Sequence, residues 1–191
     1  TPWHLDSALN LFYTRWNDMQ IQLGSGTDNY MGNAGPAFIR GGELELRWQP
    51  WRALRVIGGF GVSYGRFADD MQPVADGEDL AGNRLPQAPP YSASLALEWM
   101  PLPGLTIRPD ARWTGSTPTV SDNAAGHEIP SYCLLNLALR WQIGHFGVFV
   151  TGSNLSDERW LKDANSYSAY AGPVVSLGER RRISGGIEFE F

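Results

Sequence analysis

Few residues in this chain could do covalent chemistry, and each apparent site weakens once its neighbours are considered. Gly61-Val62-Ser63-Tyr64-Gly65 satisfies the GxSxG pattern of serine hydrolases. That pattern works when the serine occupies a sharp turn from a strand into a helix. Ser63 instead lies inside an alternating stretch, in its polar phase, with no helical pattern after it; among 22 glycines the match is a coincidence of composition. His127 would be its only partner base, and no sequence feature brings the two together. His4, His127 and His145 are too scattered for a metal centre, and His145 occupies a tight turn. Asp69, Asp70, Asp76, Glu78 and Asp79 form an acidic loop without the one-three-five ligand spacing of a calcium loop, and it reads as solvated. No cofactor is implied. Arg180, Arg181 and Arg182 suit contact with anionic lipid headgroups or a ligand carboxylate, or equally an exposed rim with Arg182 turned inward.

The elements that carry these residues are strands. The last ten residues alternate strictly, with Ile183, Gly185, Ile187, Phe189 and Phe191 against Arg182, Ser184, Gly186, Glu188 and Glu190, so one face is apolar and the other charged. Seven earlier stretches repeat the pattern. Leu5, Leu9, Leu11 and Tyr13 form one apolar row, Leu44, Leu46 and Trp48 the next, and Leu54, Val56, Phe60, Val62 and Tyr64 a third. Then come Tyr91 to Trp99, Leu105 to Trp113 and Cys133 to Trp141 at odd positions, and a less clean stretch from Phe146 to Asn154 in which Phe149 is out of phase. About ten residues at roughly 3.3 Å each, tilted near 45°, cover a hydrocarbon band of about 25 Å. Soluble strands are nearer five or six residues.

Tight connections at 49–53, 100–104 and 142–145 alternate with long ones near 24–36, 66–90, 115–131 and 157–181. Short turns at one end and long loops at the other is the arrangement of bacterial outer-membrane barrels, with the turns in the periplasm. The parity of eight strands then places Asp70, Gly126 and Ser166 outside the cell, and Arg52, Pro103 and His145 in the periplasm. Trp48, Trp99, Trp141 and Phe191 fall at the turn end, and Tyr13, Tyr64, Tyr91 and Trp113 at the loop end, giving two aromatic girdles at the membrane interfaces. Arg15 shares the lipid-facing phase but follows Tyr13, at or beyond the outer girdle, where charge is tolerated. Pro109 cannot donate to a ladder and predicts a bulge or local break. Arginine is expected to be harmful at Leu95 or Leu137 and tolerated at Ser94 or Asn136.

Composition agrees. No run of about 18 apolar residues exists, so a helical membrane protein is excluded. A net charge of −5 with no basic stripe argues against nucleic acid, and the lone Cys133 rules out an internal disulfide framework. Thr1 is not an initiator methionine and no signal peptide precedes it, although this architecture requires export, so the chain is expected to be a fragment.

Several segments, in order, resemble TonB-dependent outer-membrane receptors along most of the chain. Leu11-Phe12-Tyr13-Thr14-Arg15-Trp16-Asn17-Asp18-Met19-Gln20 is similar to the strand that precedes the family's "NAG…GxE" segment, which Gly32-Asn33-Ala34-Gly35 and Arg40 to Leu46 resemble. Gly82 to Pro89 and Ile129-Pro130-Ser131-Tyr132 resemble lead-ins to descending strands. Asn154-Leu155-Ser156-Asp157-Glu158-Arg159-Trp160 is similar to the "NLxDxxY" signature, matched at Asn154, Leu155 and Asp157 with Trp160 in the aromatic place. The resemblance implies an all-β, antiparallel up-and-down transmembrane barrel of about 22 strands, of which residues 1–191 would be the last eight, with the plug domain and earlier strands absent. It implies uptake of a scarce ligand, commonly a ferric siderophore, with energy passed through TonB, no enzymatic activity, and residence in the cell outer membrane. Implied partners are outer-membrane lipids, the ligand, the TonB complex through the missing N-terminal part, and the barrel-assembly machinery through Phe191. Charged residues of the water-facing phase would line the lumen, mostly paired with each other or the plug, with Arg108, Arg112, Arg140 and Arg182 as candidates to meet ligand.

Two other readings compete. Eight strands suffice for a self-contained barrel, a small structural protein or a lipid hydrolase. A soluble β-sandwich lectin or adhesin module would explain the alternation, but not two girdles with turns sorted by length.

Overall fold

The computed structural model describes residues 4–23, 30–74, 77–165 and 174–190. Among them there are twelve strands: β1 His4–Leu23, β2 Tyr30–Trp51, β3 Leu54–Phe67, β4 Tyr91–Leu102, β5 Leu105–Thr114, β6 Thr117–Pro118, β7 Glu128–Ile129, β8 Tyr132–Ile143, β9 Phe146–Ser153, β10 Leu161–Asn165, β11 Val174–Leu177 and β12 Arg182–Phe189. Eight form one antiparallel sheet in the order β1-β2-β3-β4-β5-β8-β9-β12. β6 with β7, and β10 with β11, make two small hairpins within the long connections. The eight are the eight alternating stretches of the sequence.

Register explains why these residues form this sheet. Directly opposed residues of antiparallel strands share a face, and the apolar phases meet without a break: Leu9 opposes Leu44, then Phe60, Ala93, Trp113 and Cys133 in turn. Farther along, Leu139 opposes Val150, which opposes Gly185. The polar phases match likewise, Ala8 to Glu45 to Gly59 to Ser94 to Arg112. A one-residue slip anywhere would turn a whole strand inside out. The resulting apolar face is broad and bare, with Leu9, Leu11 and Ile187 each about 70% exposed. Soluble surfaces do not carry a contiguous face of this kind; it is built for an apolar solvent. β1 and β12 lie at opposite edges of the sheet and do not pair, so the eight strands are not a closed cylinder.

The short connections are tight turns. β2 passes to β3, β4 to β5 and β8 to β9 through two residues each. Gly104 has φ +76°, and a Cβ there would lie 2.0 Å from the Gln142 carbonyl oxygen. That same contact lets Gln142 N–H donate to Gly104 at 2.9 Å, tying neighbouring turns together. Pro109 opposes Leu137 in an unbroken β5–β8 ladder, while the β4–β5 ladder lapses between Ala96–Asp110 and Trp99–Ile107 and resumes in the same register. The proline therefore makes a gap and not a bulge. Phe149 points to the polar face, where it lies over Gly186, whose absent side chain makes room for it.

The long connections are more ordered than their composition suggested. Much of the stretch expected as a loop at 24–36 is ladder, since β1 runs to Leu23 and β2 begins at Tyr30, with irregular register near Met19. At about 3.3 Å per residue these two strands rise well beyond a bilayer, because backbone pairing outside the membrane needs no apolar face. Nor is the acidic connection after β3 merely solvated. Phe67 and Leu80 are fully buried there, and with Ile21, Ala34, Ala37, Met71, Val74 and Leu85 they form a small core on the polar side of β2 and β3. Asp76 and Ser166 lie outside the described residues.

Leu95 and Leu137 sit mid-strand on the apolar face, whereas Ser94 is exposed on the other. Leu95→Arg or Leu137→Arg in the full barrel should destabilise it by about 2–4 kcal/mol, read as loss of the heat-resistant folded band on electrophoresis. Ser94→Arg should leave that band unchanged; equal behaviour of both faces would refute the assignment.

Candidate functional site

The charged face of the sheet is the side on which a polar ligand could be held, and three ion pairs engage part of its charge among the described residues. Arg55 donates to Glu98 at 2.9 Å directly across β3–β4, and Arg140 on β8 pairs with Glu188 on β12 at 2.6 Å. Arg112 lies 3.9 Å from Asp110 on its own strand. Arg108 and Arg182 differ, because neither forms an ion pair among the described residues. They line one groove with Asp110, Asn136, Thr151 and Ser184. Two unpaired guanidiniums beside hydroxyl and amide groups can recognise an anionic, oxygen-rich ligand. Of the four arginines singled out in the sequence, the structure thus brings two together and leaves two committed to partners.

Asn136 corrects an expectation. Its Nδ2 donates to Asp110 at 2.7 Å and its Oδ1 accepts from the Asn154 N–H at 3.0 Å. An arginine there would break both bonds, so this position is not a free lumen site despite its phase.

Asn154 to Trp160 form a staple at the loop end of β9. Asn154 is buried at φ +48°; its Nδ2 donates to the carbonyls of Glu158 and Glu179, both at 2.9 Å, and its Oδ1 accepts from Glu158 N–H at 2.8 Å. Leu155 N–H donates to Leu135 at 2.7 Å. The Asp157 carboxylate receives both Arg180 Nε, at 2.8 Å, and Arg180 Nη2, together with the Arg181 N–H at 3.0 Å. These donors, the Arg180 guanidinium first, hold its pKa well below the usual carboxylate range. Trp160 stacks on Tyr132 with centroids 4.7 Å apart and covers Gly178. The segment therefore fastens β8, β9 and the lead into β12; Arg180 is occupied by Asp157, and the rim offers less free positive charge than the sequence suggested.

A second clasp went unseen in the sequence. Asn123, at φ +54°, accepts from Arg84 N–H and donates to the Arg84 carbonyl, both at 2.9 Å. Arg84 Nη2 donates to Ser116 at 2.6 Å, Asn83 Nδ2 to Ser121 at 3.1 Å, and Gln87 N–H to Pro118 at 2.9 Å. The connections after β3 and β5 are thereby one body. A lone asparagine between two turns was the sequence's only signal.

The catalytic and metal candidates do not assemble. Ser63 lies within β3, which runs on as strand to Phe67, so the strand-to-helix turn that GxSxG chemistry requires is missing. Among the described residues no three His, Cys, Asp or Glu side chains are grouped to hold a metal ion. In the acidic connection Asp79 caps the Ala81 N–H at 3.0 Å. Of the aromatic residues assigned to girdles, Trp99 and Trp141 are exposed at the turn end with Trp48 half-buried, and Tyr13, Tyr64, Tyr91 and Trp113 are exposed toward the loop end. Phe191 lies outside the described residues. Trp51 and the opposed pair Phe146 and Phe189 join the turn-end row; the last two could have been found from their apolar phase.

An open antiparallel sheet with an apolar outer face, a charged inner face, short turns at one end and folded loops at the other is a segment of wall from a membrane β-barrel. Residues 3–155 match the family described as TonB dependent receptor-like, beta-barrel. The chain belongs to that family, whose members are β-barrels of the outer membrane, and it is part of a larger barrel. It is 26% identical over 188 residues to the pesticin receptor of Yersinia pestis, covering 93% of this chain and 26% of that protein. Among solved structures, the ferric yersiniabactin uptake receptor of Yersinia pestis superposes with a TM-score of 0.81 at 24% identity, over 98% of this chain and 28% of that one. The siderophore receptor PiuA of Acinetobacter baumannii gives 0.79 at 20% identity, over 97% and 26%. The chain thus spans about a quarter of the length of the relatives it matches.

The staple should respond to acid. A carboxylate whose folded pKa is depressed contributes stability that is present above its unfolded value, near about 4, and is lost as pH falls through the folded value. Asp157→Asn should therefore loosen the 157–181 connection at neutral pH, seen as faster limited proteolysis there, and should flatten the acid dependence of cleavage. Asn154→Ala should destabilise more, by about 3 kcal/mol, since it strands three backbone groups and strains a left-handed residue.

Proposed function

We propose that this chain is the C-terminal eight strands of the barrel of a TonB-dependent receptor that takes up a scarce ligand, a ferric siderophore, across the outer membrane with energy delivered through TonB. The plug domain and the TonB-contacting segment belong to the part of the receptor outside residues 1–191. The reading rests on the family match, and the names of the relatives as pesticin, yersiniabactin and siderophore receptors support the ligand class. The observation that carries it is the continuous division of eight strands into a lipid face and a charged lumen face. In this reading the protein is a transporter and not an enzyme, and the two aromatic rows sit at the membrane interfaces against lipid. Phe191 would be read by the barrel-assembly machinery; unchanged barrel assembly after its deletion would remove that role.

Within the lumen Arg108 and Arg182, which form no ion pair among the described residues, are the residues assigned to ligand, while Arg140 and Arg112 shape the wall through Glu188 and Asp110. The test is uptake of iron-55 siderophore complexes by cells carrying the full receptor in a receptor-deleted, iron-starved background. Wild type should restore uptake, and the double variant R108A/R182A should lower it at matched barrel abundance. Arg112→Ala should change it little. No uptake of any ferric siderophore by the wild type would sink the proposal.

A further inference from the structure

Over the regular part of the eight-stranded ladder the lipid-facing phase carries three charged residues, all arginines, and they fall together. Arg15 opposes Phe38, which opposes Arg66; two residues toward the membrane, Tyr13 opposes Arg40, which opposes Tyr64. Both rows share the face of Leu9, Leu44 and Phe60. With strands about 4.8 Å apart and same-face neighbours about 7 Å apart, the six side chains cover a patch roughly 10 Å by 7 Å, the scale of one sugar headgroup.

Two of the three arginines, Arg40 and Arg66, lie over aromatic rings. The Arg40 guanidinium carbon stands 4.8 Å from the Tyr64 ring centre and 5.7 Å from that of Phe38, and the Arg66 carbon 4.9 Å from Tyr64. Stacking fixes the guanidinium plane and leaves N–H edges for a bidentate acceptor. Arg15 and Arg40 have no ion pair among the described residues. Arg66 donates to the Gly82 carbonyl, while Arg84 beside it is drawn toward Glu128, 3.7 Å away. Asp69 and Asp70 border the same hollow as Arg15 and Arg40, so the hollow itself is balanced in charge and Arg66 beside it gives the patch one excess positive charge; Asp69 is turned toward Gly82.

We propose that this patch is a docking site for a phosphate-bearing lipid headgroup of the outer leaflet. The inference rests on the membrane-wall reading and is independent of which ligand is transported. Charge on a lipid-facing phase is tolerated only near the interface, so three arginines gathered there, Arg40 within the tyrosine row and Arg15 and Arg66 above it, with no other charge on that face over the regular ladder of described residues, match the level of anionic headgroups.

The test is native mass spectrometry of the full receptor with three probes: bis-phosphorylated lipid A, the same lipid dephosphorylated, and inorganic phosphate. Wild type should retain bis-phosphorylated lipid A, and R15Q/R40Q should bind it roughly 30-fold more weakly, about fivefold for each charge removed. R15K/R40K should fall between. Should the double variant give no heat-resistant barrel, the single Arg15→Gln and Arg40→Gln variants carry the test at fivefold each. Equal retention by wild type and glutamine variants overturns the proposal. So does equal binding of dephosphorylated lipid, which would mean apolar contact alone, or displacement by millimolar phosphate, which would mean a soluble-anion site. Siderophore uptake by the same variants should stay at the wild-type level, since these residues face away from the lumen; absent uptake with intact lipid retention would count against the transport reading alone.

Discussion

Every backbone N–H and C=O in a membrane-spanning strand must be paired inside the protein, because hydrocarbon offers no partner. That requirement makes the ladder continuous, and a continuous antiparallel ladder with a two-residue side-chain period divides the chain into two faces. The features of this protein follow from holding one register across seven strand pairings. Leucines, tryptophans and valines accumulate on one side, and ion pairs such as Arg55–Glu98 on the other. Where the chain departs from the rule, a local device keeps the register. Gly186 accommodates Phe149, and the gap beside Pro109 is confined to one flank of β5.

Beyond the membrane the constraint changes. Water can satisfy the backbone, so the loops need their own reasons to be ordered, and they have three: the core around Phe67 and Leu80, the clasp of Arg84 with Asn123, and the staple centred on Asn154 and Asp157. Two of these use asparagines in left-handed conformations, whose side chains complete turns that the backbone cannot close alone. The result is a rim built of linked connections, poised above a charged wall on which Arg108 and Arg182 form no ion pair among the described residues.

The number, order and faces of the eight wall strands were legible in the sequence because period-2 alternation is a local signal and the register simply aligns it, whereas the two short loop hairpins carry no such alternation. The staple was legible only as a resemblance; its hydrogen bonds reach from Asn154 to Asn136 and Glu179, too far along the chain for spacing to reveal. The buried loop core was hidden by five acidic residues interspersed in the sequence with Phe67, Met71, Val74 and Leu80, so composition argued for solvent where packing prevails. Asn136 shows the limit of phase alone, which assigns a face but not the partners on it. The arginine patch on the lipid face was visible only in part, as Arg15, because Arg40 and Arg66 gain their meaning from cross-strand neighbours.

The account stands most directly on sidedness. In the full receptor with Cys133 replaced by serine, single cysteines at Asp70, in the folded connection after β3, and at Arg52 or His145, in the tight turns, should be probed with a membrane-impermeant maleimide. On intact cells the first should react and the other two should not, until the outer membrane is opened. Labelling in the reverse order would invert the topology and move ligand capture to the other end of the wall. Equal labelling of all three on intact cells would contradict a membrane-spanning sheet altogether.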